Sequence, residues 1–394
     1  MCKLLKSLFK RFSRQSKNMD TSPNLVNSPQ PSGDENHDEA LPKPPDDENH
    51  DEVLPIYQFV LCVGKDPKEN EDAEPVCLIR ESNGLISVFD GMGGAGSSIY
   101  RNKHGESHTG AYFASRLVRD IIDRYFDHYL DKSRSFAINT ATLKELKNAL
   151  TGTLQKKLSE FEKNPSRIKS SLSKKLPTTL ASIYFSADID CKVDVVWAGD
   201  SRAYLLDVNG LQQISRDDIK TMAGEYSEMT QDAPLSNCIS ADNDFELRHL
   251  SFSTKLPVVL LVATDGCYGY VNTPAHFEHL LIDTLLKSKD NQEWEENISA
   301  ALAPISGDDF SMALVCFGWE KFASIKNAFQ DRLKAVNEII VPVDEIVNKL
   351  VSLDLKIESY KQEKENYLAK KKEVYSELWN SYKVIYEKRL REDE

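Results

Sequence analysis

An α+β sandwich with helices packed outside its sheets is the fold class this sequence predicts, and two observations carry the prediction. Short apolar runs at 57–63, 76–79, 85–89, 180–186, 193–198, 203–207, 258–263 and 311–317 are rich in Val, Ile, Leu and aromatics and bounded by Gly, Asp, Asn or Pro. Such runs read as strands. Between the third and fourth runs lie two consecutive longer stretches, 110–130 and 142–161. In the first, Ala114, Leu117, Val118, Ile121, Ile122 and Tyr125 share one face at helical spacing. Strands in groups and helices in pairs suit an α+β arrangement better than an alternating parallel fold. A further helix is expected over 276–288.

The 394 residues, 40% hydrophobic, suffice for a sizeable core. A net charge of −13 argues against nucleic-acid binding by counterion release. The seven cysteines show no Cys-x-x-Cys pair and several sit in strand-like runs, so buried reduced thiols in a cytoplasmic protein are expected. No stretch is apolar for long enough to span a bilayer, and residues 1–17 lack the pattern of a secretory signal.

The chain divides into four parts. In residues 1–17, Leu4, Leu5, Leu8, Phe9 and Phe12 form one helical face among basic residues. This basic amphipathic segment reads either as a peripheral dock on anionic lipid at the inner face of the membrane, or on an acidic partner, or as a solvated tail. Residues 18–55 are an acidic, Pro-rich linker expected to be disordered, with a 13-residue repeat in which 34–42 recurs as 47–55. Residues 56–318 carry the strands. In residues 319–394, Phe322, Ile325, Phe329, Leu333, Val336 and Ile340 follow a three-four spacing; Pro342 is expected to interrupt, and Val343, Val347, Leu350 and Ile357 continue the stripe. The expectation is a helical hairpin or coiled coil that either associates with itself or another protein or packs back on its own domain.

The chemistry is concentrated where apolar strands end abruptly in Asp-Gly. The run 86–89 enters Asp90-Gly91-Met92-Gly93-Gly94, and the run 260–264 enters Asp265-Gly266. Each carboxylate is thereby held at a sheet rim while the Gly lets the backbone turn toward the same point. One such site is ordinarily only a turn. Two of them, with Glu71-Asp72 before one strand and Gly307-Asp308-Asp309 before another, make several anions at strand rims. Converging carboxylates repel unless cations intervene, and oxygen ligands select Mg²⁺ or Mn²⁺ over zinc. Two such ions about 3.5–4 Å apart would activate water for in-line attack on a phosphate ester.

In these segments the chain resembles the bacterial-like members of the metal-dependent, type 2C, serine/threonine protein phosphatase family. The resemblance covers about 57–318, with motifs in the family's order: Asn70-Glu71-Asp72-Ala73; Val88-Phe89-Asp90-Gly91-Met92-Gly93-Gly94; Thr178-Thr179-Leu180; Ala198-Gly199-Asp200-Ser201-Arg202-Ala203-Tyr204-Leu205; Thr264-Asp265-Gly266; and Asp308-Asp309-Phe310-Ser311. It implies a central β-sandwich of two antiparallel sheets flanked by helix pairs, a phosphoprotein substrate and two Mn²⁺ or Mg²⁺ ions. It further implies that Asp90 bridges the ions, that the Gly91 carbonyl binds one and Asp265 and Asp308 the other, and that Glu71 acts through metal-bound water. Asp72 is expected behind these ligands, and Asp309 either behind them or as an alternative ligand. Asp200 and Arg202 are expected to support the turn beneath the site, as a buried turn with an ion pair.

Three departures from the family pattern stand out. Pro67 occupies the place of a phosphate-binding Arg, leaving Lys65 and Lys68 as candidate phosphate contacts, with Arg101 or Lys103 able to reach in. The segment Ser173-Lys174-Lys175-Leu176-Pro177 lacks the Asp that helps a third metal, and Lys174 could take part of that charge. Asp309 replaces the usual Asn. The segment 95–104 is an insertion, and His104 or His108 could act as a general acid, or be inert loop histidines. Residues 214–242 correspond to the variable flap. Two readings follow: an active phosphatase, or a pseudophosphatase binding module that keeps the fold and metal site with little turnover.

Overall fold

The computed structural model describes residues 55–66, 69–132, 138–163, 174–187, 190–219 and 234–389. The amphipathic segment 1–17, nearly all of the linker 18–55 and the positions Pro67 and Lys68 lie outside them. Strands β1 (Tyr57–Val63), β2 (Ala73–Arg80) and β3 (Asn83–Phe89) open the fold. A hairpin of β4 (Ile99–Arg101) and β5 (Ser107–Thr109) leads into helices α1 (Gly110–Lys132) and α2 (Thr140–Glu160), followed by β6 (Glu162–Lys163). Next come β7 (Leu180–Ala187), β8 (Asp190–Ala198), β9 (Arg202–Asp207), β10 (Gly210–Gln213), β11 (Arg248–Lys255) and β12 (Val258–Ala263). The short helix α3 (Asp265–Tyr268), helices α4 (Pro274–Lys287) and α5 (Asn291–Leu302), strand β13 (Phe310–Phe317) and helix α6 (Phe322–Tyr386) complete it.

Two five-stranded sheets form, in the orders β1-β13-β12-β9-β10 and β11-β8-β7-β3-β2, and β4 pairs with β5 and β6 in a small third sheet. Every strand pairing is antiparallel. Strand side chains alternate between faces, and the central strands are apolar at both parities because both faces are covered. In β12, Val258, Leu260 and Val262 meet Ile86, Val88, Ile183 and Val195 between the sheets. Val259, Leu261 and Ala263 instead pack outward beneath α4, α5 and the start of α6. On the other side, α1 and α2 cover the second sheet through Ala114, Val118, Ile122, Leu146 and Leu150. The expected helix-flanked sandwich is therefore present, in four layers.

The strands absent from the sequence reading are those without an apolar run. β11 is polar and alternating, an edge strand carrying Arg248, His249 and Lys255, as suits an edge that must not pair further. β10 is the opposite kind of edge, four residues long. Helix α5 carried a readable signal: Asp290 caps Glu293 N at 2.9 Å, and Glu293 Oε2 accepts from Lys289 N, with Trp294, Ile298 and Leu302 buried on one face. The six described cysteines are free thiols, four of them buried.

Two expectations about the C-terminal part need correction. Pro342 lies inside one 65-residue helix, not at a break, so no hairpin turn occurs within Phe322–Tyr386. A proline inside a helix forfeits its own N–H bond and crowds the carbonyl one turn back, at about 3 kcal/mol. The preceding turns are already nucleated by packing, so propagation past it needs no new nucleus. Moreover, the sequence division at residue 318 cuts through a core: Phe322, Ile325, Phe329, Val336 and Ile340 are buried, the first three in the same cluster as Trp294 and Leu314. Arg332 joins them, its guanidinium forked onto buried Glu278 of α4 at 2.6 and 2.9 Å.

Candidate metal centre

Five of the six acidic residues of interest are delivered to one rim by strand ends. Asp90 follows β3 of the second sheet and Asp265 follows β12 of the first. Glu71 and Asp72 precede β2, and Asp308 precedes β13. The sixth, Asp200, sits where the chain crosses between the sheets from β8 to β9.

Asp90 is fixed from behind. Its carbonyl accepts from Thr178 Oγ1 at 2.6 Å and from Thr179 N at 2.9 Å, and Thr179 Oγ1 bonds Ser201 Oγ at 2.6 Å. Gly91 bridges to Thr178. A Cβ at Gly91 would stand 2.4 Å from the Glu71 carbonyl, so only glycine lets the two segments meet. Asp72 is buried and accepts from Thr264 Oγ1 at 3.0 Å, while Thr264 Oγ1 accepts from Ser311 N at 2.9 Å. This small network ties together the segments bearing Glu71, Asp265 and Asp308.

Asp309 holds the loop before β2. Its carboxylate accepts from Glu71 N at 2.6 Å and from Lys65 N at 2.8 Å, pinning both ends of the β1–β2 loop. Lys65 Nζ donates to the Gly307 carbonyl, which places its ammonium beside Asp308. Glu71 Oε1 accepts from Thr109 Oγ1 at 2.5 Å. Thr109 was missed in the sequence because a lone threonine after a variable insertion carries no pattern.

Other candidates are placed elsewhere. The insertion forms the β4–β5 hairpin, where Arg101 Nε donates to Gly105 and His104 N to Asn102, and His108 stacks on Tyr112. Lys174 pairs with Asp244 at 3.0 Å. Arg202 is forked onto Asp217 and lies over the Tyr268 ring, so the ion pair expected at this turn forms with Asp217 and not with Asp200. The base of the flap is anchored by Asp218, which receives Gly199 N and Asn237 Nδ2 and pairs with Arg248; residues 220–233 lie outside the described ones.

The electrostatics mark the rim as anionic. Burial, then Asp265, Asp72, Asp200 and Asp308, push Asp90 well above the usual carboxylate range. Burial and Asp265 do the same to Asp200, and burial, against the Thr109 hydrogen bond, raises Glu71 together with Asp309 and Asp308. Carboxylates that raise one another stand within interaction range. Among the described residues, no three Asp, Glu, His or Cys side chains close around a single ion. The predicted set leaves part of each coordination sphere to the Gly91 carbonyl and water. Asp200 Oδ1, buried and accepting no hydrogen bond, is a further oxygen here, beyond the turn-supporting role expected of that residue. An all-oxygen donor set with an orphaned buried carboxylate oxygen fits a hard divalent cation.

The chain belongs to the protein phosphatase 2C family, whose model matches residues 68–303. It is therefore a protein-serine/threonine phosphatase of the kind that works with two Mn²⁺ or Mg²⁺ ions. A Mycoplasma genitalium protein bearing a protein phosphatase name is 26% identical over 262 residues, spanning 63% of this chain and 90% of that one. Among solved structures, the chain is similar to the Mycobacterium tuberculosis serine/threonine phosphatase PstP/Ppp, at 16% identity and TM-score 0.46 over 67% of this chain and 99% of that one. It is also similar to the PstP catalytic domain in complex with two manganese ions, at 16% identity and TM-score 0.45 over 66% and 97% of the two chains. No described helix is long and apolar enough to cross a membrane.

Gly266 offers a test of how the site is built. A Cβ there would stand 2.0 Å from the Asp309 carbonyl oxygen and 2.9 Å from its carbon, and backbone cannot rotate away as a side chain can. Gly266→Ala is expected to lose about 1–3 kcal/mol of stability as an overpacked site. Because the displaced loop carries Asp308, its Mn²⁺ affinity should fall as well. Thermal denaturation and calorimetric Mn²⁺ titration measure the two effects, and an unchanged affinity would mean that the 307–309 loop does not shape the site.

Proposed function

We propose that this protein hydrolyses phosphoserine and phosphothreonine in proteins with water activated at a centre held by Asp90, Asp265 and Asp308, the Gly91 carbonyl and, through water, Glu71. The supporting observation is the rim at which Asp265 and Asp200 raise the proton affinity of the Asp90 carboxylate and Asp265 that of Asp200, with Asp200 Oδ1 accepting no hydrogen bond. When bound, the two ions would lower the pKa of water and neutralise phosphate oxygens. Glu71, one carboxylate oxygen of which accepts from Thr109, would act on the attacking water through the other. Lys65, exposed at the rim with its ammonium on the Gly307 carbonyl, draws the substrate phosphate in as a point charge, in the absence of the family's forked Arg.

Hydrolysis of an aryl phosphate and of a phosphothreonine peptide as a function of Mn²⁺ tests this reading, with calorimetric Mn²⁺ binding measured in parallel. Wild type should turn over both substrates, and Asp265→Asn and Asp308→Asn should lose Mn²⁺ affinity together with rate. Mn²⁺ binding without hydrolysis above the level of these variants would overturn the enzyme reading and leave a binding module. Lys65→Ala should raise KM more than it lowers kcat.

A further inference from the structure

Beyond Asp344, which still meets His276 of α4 at 3.0 Å, helix α6 leaves its own domain with an apolar seam uncovered. The heptad positions that pack on the domain as Phe322, Ile325, Phe329 and Val336 continue in phase from Val343 to Ile385, about 65 Å along the axis. Ten of these thirteen a and d positions are aliphatic or Tyr. They are largely exposed: Leu350 56%, Ile357 51%, Leu378 64% and Ile385 72%. Lys364, Lys371 and Ser381 interrupt the seam. An exposed apolar seam of this length, even so interrupted, exceeds the scattered apolar surface of a monomer.

We infer that this seam pairs with the same seam of a second copy of the chain, running antiparallel and centred between Glu365 and Asn366. In that register Ile357 meets the partner's Val374, Leu378 the partner's Leu353, and Ile385 the partner's Ile346. Each interrupting lysine falls on an aromatic ring: Lys364 on the partner's Tyr367 and Lys371 on the partner's Tyr360, where an ammonium is stabilised by the ring face. At the flanks, Glu363 faces the partner's Lys370 and Lys356 the partner's Glu377, and no like charges oppose one another at the flanking positions. The parallel alternative places Lys364 on Lys364, Lys371 on Lys371 and Lys356 against Lys361, three repulsions in or beside the core. In that register the paired seam runs from Ile346 to Ile385, beyond the contact that Asp344 makes with its own domain at His276.

Light scattering of the full chain, with a dimer dissociation constant from sedimentation, tests the pairing. The wild type is expected at twice the chain mass, and Leu353→Asp/Leu378→Asp at the monomer mass with an unchanged melting temperature of the domain. Glu363→Lys sets like charges opposite one another twice per dimer and should weaken dimerisation by about tenfold; adding Lys370→Glu should restore it. In a parallel pair neither change meets a charge, because those positions then face Leu368 and Tyr375. A monomeric wild type, an assembly larger than two, or a dimer indifferent to the charge reversal would each overturn the proposal.

Discussion

Asp90→Asn will unfold at a higher temperature than the wild type in metal-free buffer, yet will lose Mn²⁺-dependent hydrolysis by at least about a hundredfold, the scale on which one preorganised charge-stabilising group acts. Asp90 is half-buried and crowded by Asp265, Asp72, Asp200 and Asp308, and no cation offsets that crowding in metal-free protein. An amide of the same shape keeps the packing and removes one of the opposing charges. The backbone contacts that hold the residue, from Thr178 and Thr179 to its carbonyl, do not depend on its side chain, so the fold survives. Differential scanning calorimetry with chelator and then with Mn²⁺ should show the order of stabilities reverse, since only the wild type gains fully from the ions. A lower melting temperature in chelator would mean that the Asp90 carboxylate has a structural partner, against the reading given above.

The second large effect lies far from the rim. Arg332→Met is expected to cost about 3–5 kcal/mol, because it strands a buried carboxylate. Glu278 is 5% exposed and both its oxygens are taken by the Arg332 fork. The same guanidinium covers Gly210, where a Cβ would stand 2.3 Å from Nη2, so one side chain joins α4, α6 and the β9–β10 turn. Adding Glu278→Leu should recover most of the loss, since an apolar pair of similar volume leaves no charge unpaired. Urea denaturation of the two single variants and the double variant yields the coupling energy. Additive losses would indicate that packing, not the ion pair, holds α6 to the domain.

Both predictions bear on what could be read before folding. The Asp-Gly strand ends at Asp90 and Asp265 were legible because their signal is local: an apolar run, then a carboxylate, then a glycine. Glu71 and Asp308 were legible by their place before strands, and the central strands by unbroken apolar runs. Edge strand β11 was not, because one face and its outer edge meet water and its residues are accordingly polar. Thr109 and Asp200 acquire their roles at the rim from segments distant in sequence, and nothing in their own neighbourhoods announces them.

The sequence by itself determined the order of the apolar central strands and of helices α1, α2 and α4, the carboxylates available and the heptad phase of the last helix, because periodicity and turn chemistry are properties of neighbouring residues. Only the tertiary structure decided that Asp309 pins Lys65 and Glu71, that Arg202 answers to Asp217, that Pro342 is carried through a helix, and that the domain's core extends to Ile340. Each of these depends on which surfaces are brought together, and long-range packing, not local preference, settles which polar groups are buried and which partner satisfies them.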